Sequence, residues 1–587
     1  MNERVIALRN ILHSAGLDGF LVPRSDEHLG EYVSDAAERL AWLTGFTGSA
    51  GVAVVLTGEA AVFADGRYTL QLAAEVDPTV FARLHLIDEP PPAWIASRAK
   101  RIGYDPWLIS EEGLGRLTDA GLEMVPVRPN PIDTIWSDRP APPMQPATPH
   151  PLAFAGRSSS EKVDALAGEL RAAGEHASVL TDPASIAWLL NLRGGDLPYT
   201  PVALGFAILR EDATVALFMA AAKLAPETLD WLGNRVAVQP PEAFPAALGG
   251  MAGKRVRVDL AGAPAAVAQA LRAGGATVAA GTDPCLLPKA CKNAVEQQGA
   301  RDAHGRDAVA LARFLRGMTE AAGRTEMQAA DELLRLRRAV DGFVGESFPA
   351  IVGAGEHGAI IHYRPAPATD RAIGADELVL IDSGGQYPGG TTDVTRTVWI
   401  GPSAPPASVR EHYTRVLKGH VALAATVFPV GVAGPHLDAF ARRSLWQAGL
   451  DYDHGTGHGV GSYLSVHEGP VSLSRAGRMT PLAEGMILSD EPGLYLPGQY
   501  GIRIENLLLV QRADRPNATR PFLRFETLTL APYDRVLIDP AMLTAEERTW
   551  IDAYHARVAA AVGPALDGPT AAWLEAACAP LVKPAYT

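Results

Sequence analysis

Four carboxylates and one imidazole between positions 382 and 505 are the residues of this chain best suited to chemistry: Asp382, Asp393, His458, Glu491 and Glu505. Asp382 ends the apolar run Leu378-Val379-Leu380-Ile381, which reads as a strand buried on both faces. A carboxylate there needs a partner, because burying an unpaired charge is very costly. Asp393 follows in Gly389-Gly390-Thr391-Thr392-Asp393-Val394-Thr395-Arg396-Thr397, and two strands joined by a turn at Ser383-Gly384-Gly385 would bring the two carboxylates side by side. Glu491 lies between Ser489-Asp490 and Pro492-Gly493. Glu505 ends Gly501-Ile502-Arg503-Ile504-Glu505, where the strand period of two puts Arg503 and Glu505 on one face. Arg396 and Arg503 could neutralise this group as a salt-bridge network. So could two divalent cations, whose charge balances four carboxylates. A carboxylate-dominated set suits hard ions, Mn²⁺ foremost, with Zn²⁺ or Co²⁺ as alternatives. Spacing alone leaves both readings open.

His458 sits among four glycines in Gly455-Thr456-Gly457-His458-Gly459-Val460-Gly461, with His454 before and His467 after. Glycine this dense opposes a helix and allows close backbone approach or positive φ. The spacing of His454 and His458 invites a zincin reading. That motif needs a helix with a glutamate after the first histidine, and here Gly455-Thr456-Gly457 intervenes. The glycines also lack the strand-to-helix setting of a nucleotide loop. His362, after Ala359-Ile360-Ile361, is by itself better read as structural.

The elements that must position these residues change in texture along the chain. Residues 1–130 alternate helical and strand signals, with apolar strands at Gly51–Leu56 and Ala60–Phe63 around a turn and a helix opening after Asp65-Gly66-Arg67-Tyr68. Six prolines from Pro140 to Pro151 form a semi-rigid linker. A second unit echoes the first: Ser185-Ile186-Ala187-Trp188-Leu189 matches Arg39-Leu40-Ala41-Trp42-Leu43, and each precedes a glycine-rich turn and a pair of apolar strands. Beyond Pro284, long helices alternate with strands. Capping boxes are expected at Ser158/Glu161, Thr325/Gln328 and Thr544/Glu547, a cap at Ser408/Glu411, and a helix start at Pro435. Strands are expected at Glu377–Ile381, Thr391–Ile400, Met486–Leu488, Arg503–Leu509 and Thr527–Leu530.

The chain has 587 residues, enough for three or four domains, with ordinary globular composition. A net charge of -14 argues against a nucleic-acid binder, which wants a basic face. Three cysteines make neither a disulfide framework nor a zinc motif. The charged N-terminal segment lacks a signal-peptide core, and no apolar run reaches membrane-span length, so a cytoplasmic protein is expected.

Together these motifs resemble the pita-bread metallopeptidases, most closely the cytosolic three-domain Xaa-Pro aminopeptidases. The resemblance spans nearly the whole chain. It rests on Lys289-Ala290-Cys291-Lys292-Asn293, His362-Tyr363, Asp382-Ser383-Gly384-Gly385, Thr391 to Thr397, His454 to Gly461, Val466-His467-Glu468-Gly469-Pro470 and Glu491-Pro492-Gly493. It implies a mixed α/β and α+β protein: a creatinase-like α/β domain over 1–135, a linker over 136–158, a second such domain over 159–286, a pita-bread catalytic domain over 287–530 and a helical extension over 531–587. It also implies that Asp382 and Asp393 bind one metal, and that Asp393, His458, Glu491 and Glu505 bind a second, Asp393 and Glu505 bridging. Glu491 becomes the general base, and His362, His454 and His467 bind substrate and move protons, with Arg503 also at the substrate. The reaction implied is hydrolysis of an Xaa-Pro bond at a free N-terminus, by a homodimer. Prolidase is the nearest rival. Methionine aminopeptidase lacks the N-terminal domains, creatinase lacks the ligands, and a non-catalytic peptide- or histone-binding relative would be expected to lose them.

Overall fold

Apolar runs bounded by glycine and proline pair as strands through the N-terminal half of the chain. The computed structural model describes residues 2–581. One unit comprises Met1–Leu152 with Arg157–Leu286, the other Ala153–Gly156 with Leu287–Thr587. The first unit holds two six-stranded sheets. One contains β1 (Gly19–Pro23), β2 (Val52–Leu56), β3 (Ala60–Ala64), β4 (Ala82–His85), β5 (Arg101–Tyr104) and β6 (Glu123–Pro126), in the order β4-β3-β2-β1-β5-β6. The other contains β7 (Ala177–Leu180), β8 (Phe206–Arg210), β9 (Val215–Phe218), β10 (Val236–Gln239), β11 (Arg255–Val258) and β12 (Thr277–Ala280), in the order β10-β9-β8-β7-β11-β12. The two orders are one topology, and the strand directions agree as well. The central hairpins are antiparallel, and the flanking pairs are parallel. The echo read in the sequence falls on corresponding short helices, Arg39–Thr44 and Pro183–Leu190.

The second unit positions the candidate site. Its helices are α1 (Ala294–Met318), α2 (Glu326–Arg338), α3 (Ala407–Ala424), α4 (Gly434–Trp446), α5 (Ala545–Val562) and α6 (Gly568–Ala577). Thr325/Gln328 and Thr544/Glu547 close reciprocal capping boxes, and Pro435 lies in the first turn of α4. The cap expected at Ser408 does not form. Pro406, extended at φ -52°, ψ 146°, precedes the first turn of α3, with no side-chain cap bond.

The strands are β13 (Ile351–Ala354), β14 (Glu377–Ser383), β15 (Val394–Ile400), β16 (Val427–Pro429), β17 (Gly457–Gly459), β18 (Glu468–Leu473), β19 (Ile487–Asp490), β20 (Gly493–Leu496), β21 (Tyr500–Arg503), β22 (Asn506–Ala513) and β23 (Phe522–Thr527). They build a three-stranded sheet β13-β14-β15, a six-stranded sheet β16-β23-β22-β19-β17-β18 and the ribbon β20-β21. Three expectations shift here. The expected strand Thr391–Ile400 is interrupted, because residues 384–393 make a small side hairpin, Gly385–Tyr387 with Gly390–Thr391, rather than a tight turn. The expected strand Arg503–Leu509 breaks at Ile504-Glu505, where the chain leaves the ribbon and joins β19 in the large sheet. The expected strand Thr527–Leu530 lies earlier, at β23. An apolar core in which Tyr413, Leu417, Ile502, Ile504 and Ile551 are buried packs α3 and α5 against the ribbon.

Candidate metal centre

The four candidate carboxylates stand at or beside places where strands end or change sheet. Asp382 pairs with Thr395 at the end of the β14–β15 hairpin, and Asp393 immediately precedes β15. Glu491 and Glu505 occupy two facing breaks: the chain leaves the six-stranded sheet after Asp490 and returns to it at Asn506, and these two residues are register partners. Pro492 lies in the first break, where its missing N–H forfeits no ladder bond. His458 is the middle residue of β17, with an irregularity in pairing just after it.

These placements converge. Ligand atoms of Asp393, His458 and Glu505 all lie within 4.8 Å of one another. His458 Nε2 is 3.5 Å from Asp393 Oδ2 and 3.4 Å from Glu491 Oε1. Asp382 joins through charge: Asp393 and Glu491 both act on its carboxyl. Burial pushes Asp382 up to about 6, Arg503 opposing and the neighbouring carboxylates reinforcing it. Glu505 is raised well above the ordinary carboxylate range by burial, then by Asp393, Glu491 and Asp382. Burial would lower His458, but its bond to Asp393 and the charge of Glu491 raise it to about 9.

The cluster is therefore short of positive charge, and Arg503 is the cation that touches it. Its Nη2 donates to Asp382 Oδ2 at 2.6 Å. The other carboxylate oxygen, Asp382 Oδ1, is buried and has no hydrogen-bond partner. A buried acceptor left unbonded within a group of mutually repelling carboxylates fits a divalent cation.

The supporting groups are hydrogen-bonded to the candidate ligands and to one another. Thr395 Oγ1 accepts from Arg503 Nε at 3.2 Å and donates to Glu505 Oε2 at 2.7 Å. Arg503 and Glu505 thus meet on one side, at the hydroxyl of Thr395, although the strand expected to carry both ends at Arg503. Ser489 Oγ accepts from the His458 N–H at 2.9 Å and donates to Glu491 Oε1 at 3.0 Å, tying two candidate ligands together. Gly457 permits this approach, since a Cβ there would lie 2.0 Å from the Ser489 carbonyl oxygen. The glycines serve proximity, and none of Gly455, Gly457, Gly459 and Gly461 takes a positive φ.

The three further histidines do not occupy one position. His467 is half-buried, its ring edge-on to that of His458 with centroids 4.3 Å apart. His454 Nε2 lies 2.9 Å from the Tyr495 hydroxyl, which also accepts from Arg503 Nη1 at 2.8 Å. His362 is half-buried between two anchored neighbours. The Ile361 carbonyl accepts from Arg503 Nη1 at 3.2 Å, and the Tyr363 hydroxyl donates to the buried Glu326 at 2.7 Å. Arg503 itself is buried, and its donors meet Asp382, Thr395, Tyr495 and Ile361. Tyr495, Ser489 and Glu326 escaped the sequence reading. Ser489 and Tyr495 flank Glu491-Pro492-Gly493, but only the strand switch shows what they touch.

Family models match the chain in four stretches: a Creatinase/Prolidase N-terminal domain over residues 4–134 and again over 138–296, metallopeptidase family M24 over 298–512, and the C-terminal region of that peptidase over 521–581. Aminopeptidase P2 of Arabidopsis thaliana is 38% identical, over 100% of this chain and 89% of the relative. A probable Xaa-Pro aminopeptidase P of Laccaria bicolor is 38% identical, over 99% of this chain and 93% of its own. Among solved structures, the X-prolyl aminopeptidase of Caenorhabditis elegans, described as a cytosolic enzyme with a di-nuclear active site, superposes with a TM-score of 0.93 at 33% identity, covering 99% of each chain. A prolidase from Thermococcus sibiricus shares the fold over 64% of this chain and 98% of its own, with a TM-score of 0.53 at 22% identity.

Proposed function

Because the chain belongs to metallopeptidase family M24, within its aminopeptidase P group, we propose that it is a two-metal aminopeptidase cleaving the bond between an N-terminal residue and a following proline. The observation that carries this reading is the convergence of Asp393, His458 and Glu505, with the unbonded Asp382 Oδ1 in the same carboxylate group.

Asp382 and Asp393 would hold one divalent cation, and Asp393, His458, Glu491 and Glu505 the other, with Asp393 and Glu505 shared. Mn²⁺ suits this donor set best. When bound, the pair supplies a water acidic enough to attack at neutral pH and an electrophile for the scissile carbonyl. The remaining work belongs to side chains. Glu491, held by Ser489, accepts the proton of the attacking water and returns it to the leaving proline nitrogen. His467 and His362 donate to the developing oxyanion. His454, backed by Tyr495 and Arg503, orients the substrate near the carboxylates, which also attract its α-ammonium. Arg503 acts through Asp382, fixing which oxygen faces the site. Proline explains the need for a dedicated enzyme, since the Xaa-Pro bond offers no N–H and its ring restricts the backbone on both sides.

A cytoplasmic location accords with the description of the C. elegans relative. Among the described residues no helix is long and apolar enough to cross a membrane. Assembly as a homodimer is part of the same reading, and Phe440 and Trp446, both exposed on α4, are apolar surface available to it. The domain limits read from the sequence are retained in this proposal.

The deciding experiment incubates the protein with an Xaa-Pro-Yaa tripeptide and an Xaa-Pro dipeptide, with Mn²⁺ and after chelation. Metal-dependent release of the first residue from the tripeptide is expected. Exclusive cleavage of the dipeptide would make it a prolidase, and undiminished activity after thorough chelation would remove the metal mechanism. Sedimentation velocity reads the dimer.

A further inference from the structure

We infer that Glu468, clamped by Lys289 and Lys292, is the positioning residue that fixes His467 against His458. The inference rests on the reading of His467 as a substrate-facing group. Glu468 opens β18 and is itself buried, at 4% exposure. Lys289 Nζ donates to one of its carboxylate oxygens at 3.0 Å and Lys292 Nζ to the other at 2.5 Å. Both lysines are as deeply buried as the glutamate. Lys289 comes from the short helix Leu286–Ala290, and Lys292 is fixed in turn by its main chain: its N–H donates to the Gly485 carbonyl and its carbonyl accepts from Gln297. Two cations that enter the interior from one stretch of chain thus meet on a single carboxylate.

That carboxylate underlies the loop 460–467. Glu468 faces Gly459 in the β17–β18 pairing, and a Cβ on Gly459 would lie 2.2 Å from the Glu468 carbonyl oxygen. Gly461 brings the other limb against it: a Cβ there would lie 3.2 Å from Glu468 Oε2. The loop closes through the Gly461 N–H to the Ser465 carbonyl at 3.0 Å, and Val460, Leu464 and Val466 bury their side chains. His467, the last loop residue, is one peptide unit from the clamped glutamate. Its ring meets His458 edge-on. A buried carboxylate that loses its cations must find other partners or move, and movement of Glu468 carries His467 with it. Burial opposes the charge on Glu468, and the two lysines more than offset this.

The test uses the full chain loaded with Mn²⁺. Glu468→Gln keeps the shape and removes the charge; Lys292→Met removes one pin. Each is expected to lower kcat on the tripeptide roughly 10- to 100-fold, as loss of an outer support around a metal site does, with the same metal stoichiometry by elemental analysis. Hydrogen–deuterium exchange of the peptide spanning 460–467 is expected to rise in both. In a His467→Ala background, adding Glu468→Gln is expected to cost no further kcat, because the glutamate acts through that histidine. A full, independent loss in that background, or unchanged exchange in the loop, overturns the inference. Should Glu468→Gln fail to fold by circular dichroism, Lys289→Met and Lys292→Met carry the same comparison. If the wild-type chain shows no Xaa-Pro cleavage, the functional reading falls, while the exchange experiment still decides whether the clamp holds the loop.

Discussion

At the scale of single residues, the division between ligands and supports makes distinct predictions. Glu491→Gln retains the shape and the contact with Ser489 but loses basicity. Turnover is expected to fall by about 10²–10⁴, with KM little changed, in steady-state assays on the tripeptide. Retained activity would remove Glu491 from the proton transfer. A second residue-level prediction concerns stability. His555 is fully buried; burial first, then Arg396 and Arg535, holds it down to about 4. Its Nε2 accepts from the Tyr533 N–H at 3.1 Å. A depressed folded-state value means that the unfolded chain takes up the proton first as pH falls. The stabilisation is complete above the ordinary histidine value of about 6.5 and is lost progressively down to about 4. The loss is on the order of 2–3 kcal/mol. His555→Gln, which keeps an acceptor for Tyr533, is expected to lose less stability between pH 7.5 and 4.5 in urea unfolding. Equal acid sensitivity in the two proteins would refute this.

At the scale of elements, the breaks matter more than the strands. Glu491 and Glu505 are brought together because the chain leaves one sheet after Asp490 and re-enters it at that residue's register partner, Asn506. The composition of Asp382-Ser383-Gly384-Gly385 and Glu491-Pro492-Gly493 announced interruptions, and the candidate ligands were legible for that reason. What the breaks do was not legible. The alternation of Arg503-Ile504-Glu505 reads as a continuous strand, but Ile504 and Glu505 send their N–H groups to Pro492 and Thr395. Likewise Ser408 and Glu411 have the spacing of a cap, but Pro406, preset near its extended φ, fixes where α3 begins. Side chains that recognise one another across distant segments, such as Tyr495 with His454, carry no local signature at all. The close contact at Gly457 gives the test at this scale. Gly457→Ala drives a methyl into the Ser489 carbonyl, and a loss of about 1–3 kcal/mol is expected. Denaturant midpoints measure the loss, and weaker metal binding should accompany it. A neutral substitution would mean that β17 can move away from β19.

At the scale of the whole molecule, the candidate metal centre belongs to one unit and the paired sheets to the other. Metal binding stabilises whatever binds it, by about 2.7 kcal/mol at a hundredfold excess over Kd. Chelation is therefore expected to raise hydrogen exchange in β14, β15, β17, β19 and β22 and to leave β1–β12 unchanged. Uniform loosening of both units would show that the sheets depend on the metals. The repeat of the sheets was only hinted at by sequence, because the echo is short: five residues of a helix in each copy, then a glycine-rich turn and a pair of apolar strands. Strand order and direction, which agree throughout, are properties of the pairing and not of any local stretch.

That agreement has a cost during folding. Tandem copies of one topology are prone to exchange strands as they form, each accepting a segment meant for the other. The two sheets diverge where such an exchange would begin. Gly19 of β1 pairs with Ile102 as Ala177 of β7 pairs with Val256, and Gly103 stands opposite Phe20 where Arg257 stands opposite Ser178. The first sheet is tight at both glycines: a Cβ on Gly19 would lie 2.9 Å from the Val55 carbonyl oxygen, and one on Gly103 would press on the Leu17 and Phe20 side chains at 2.8 and 2.9 Å. A β7 or β11 strand misplaced into the first sheet would bring a methyl or a guanidinium into those gaps, so the nascent chain carries a steric barrier against assembling its own duplicate in the wrong frame.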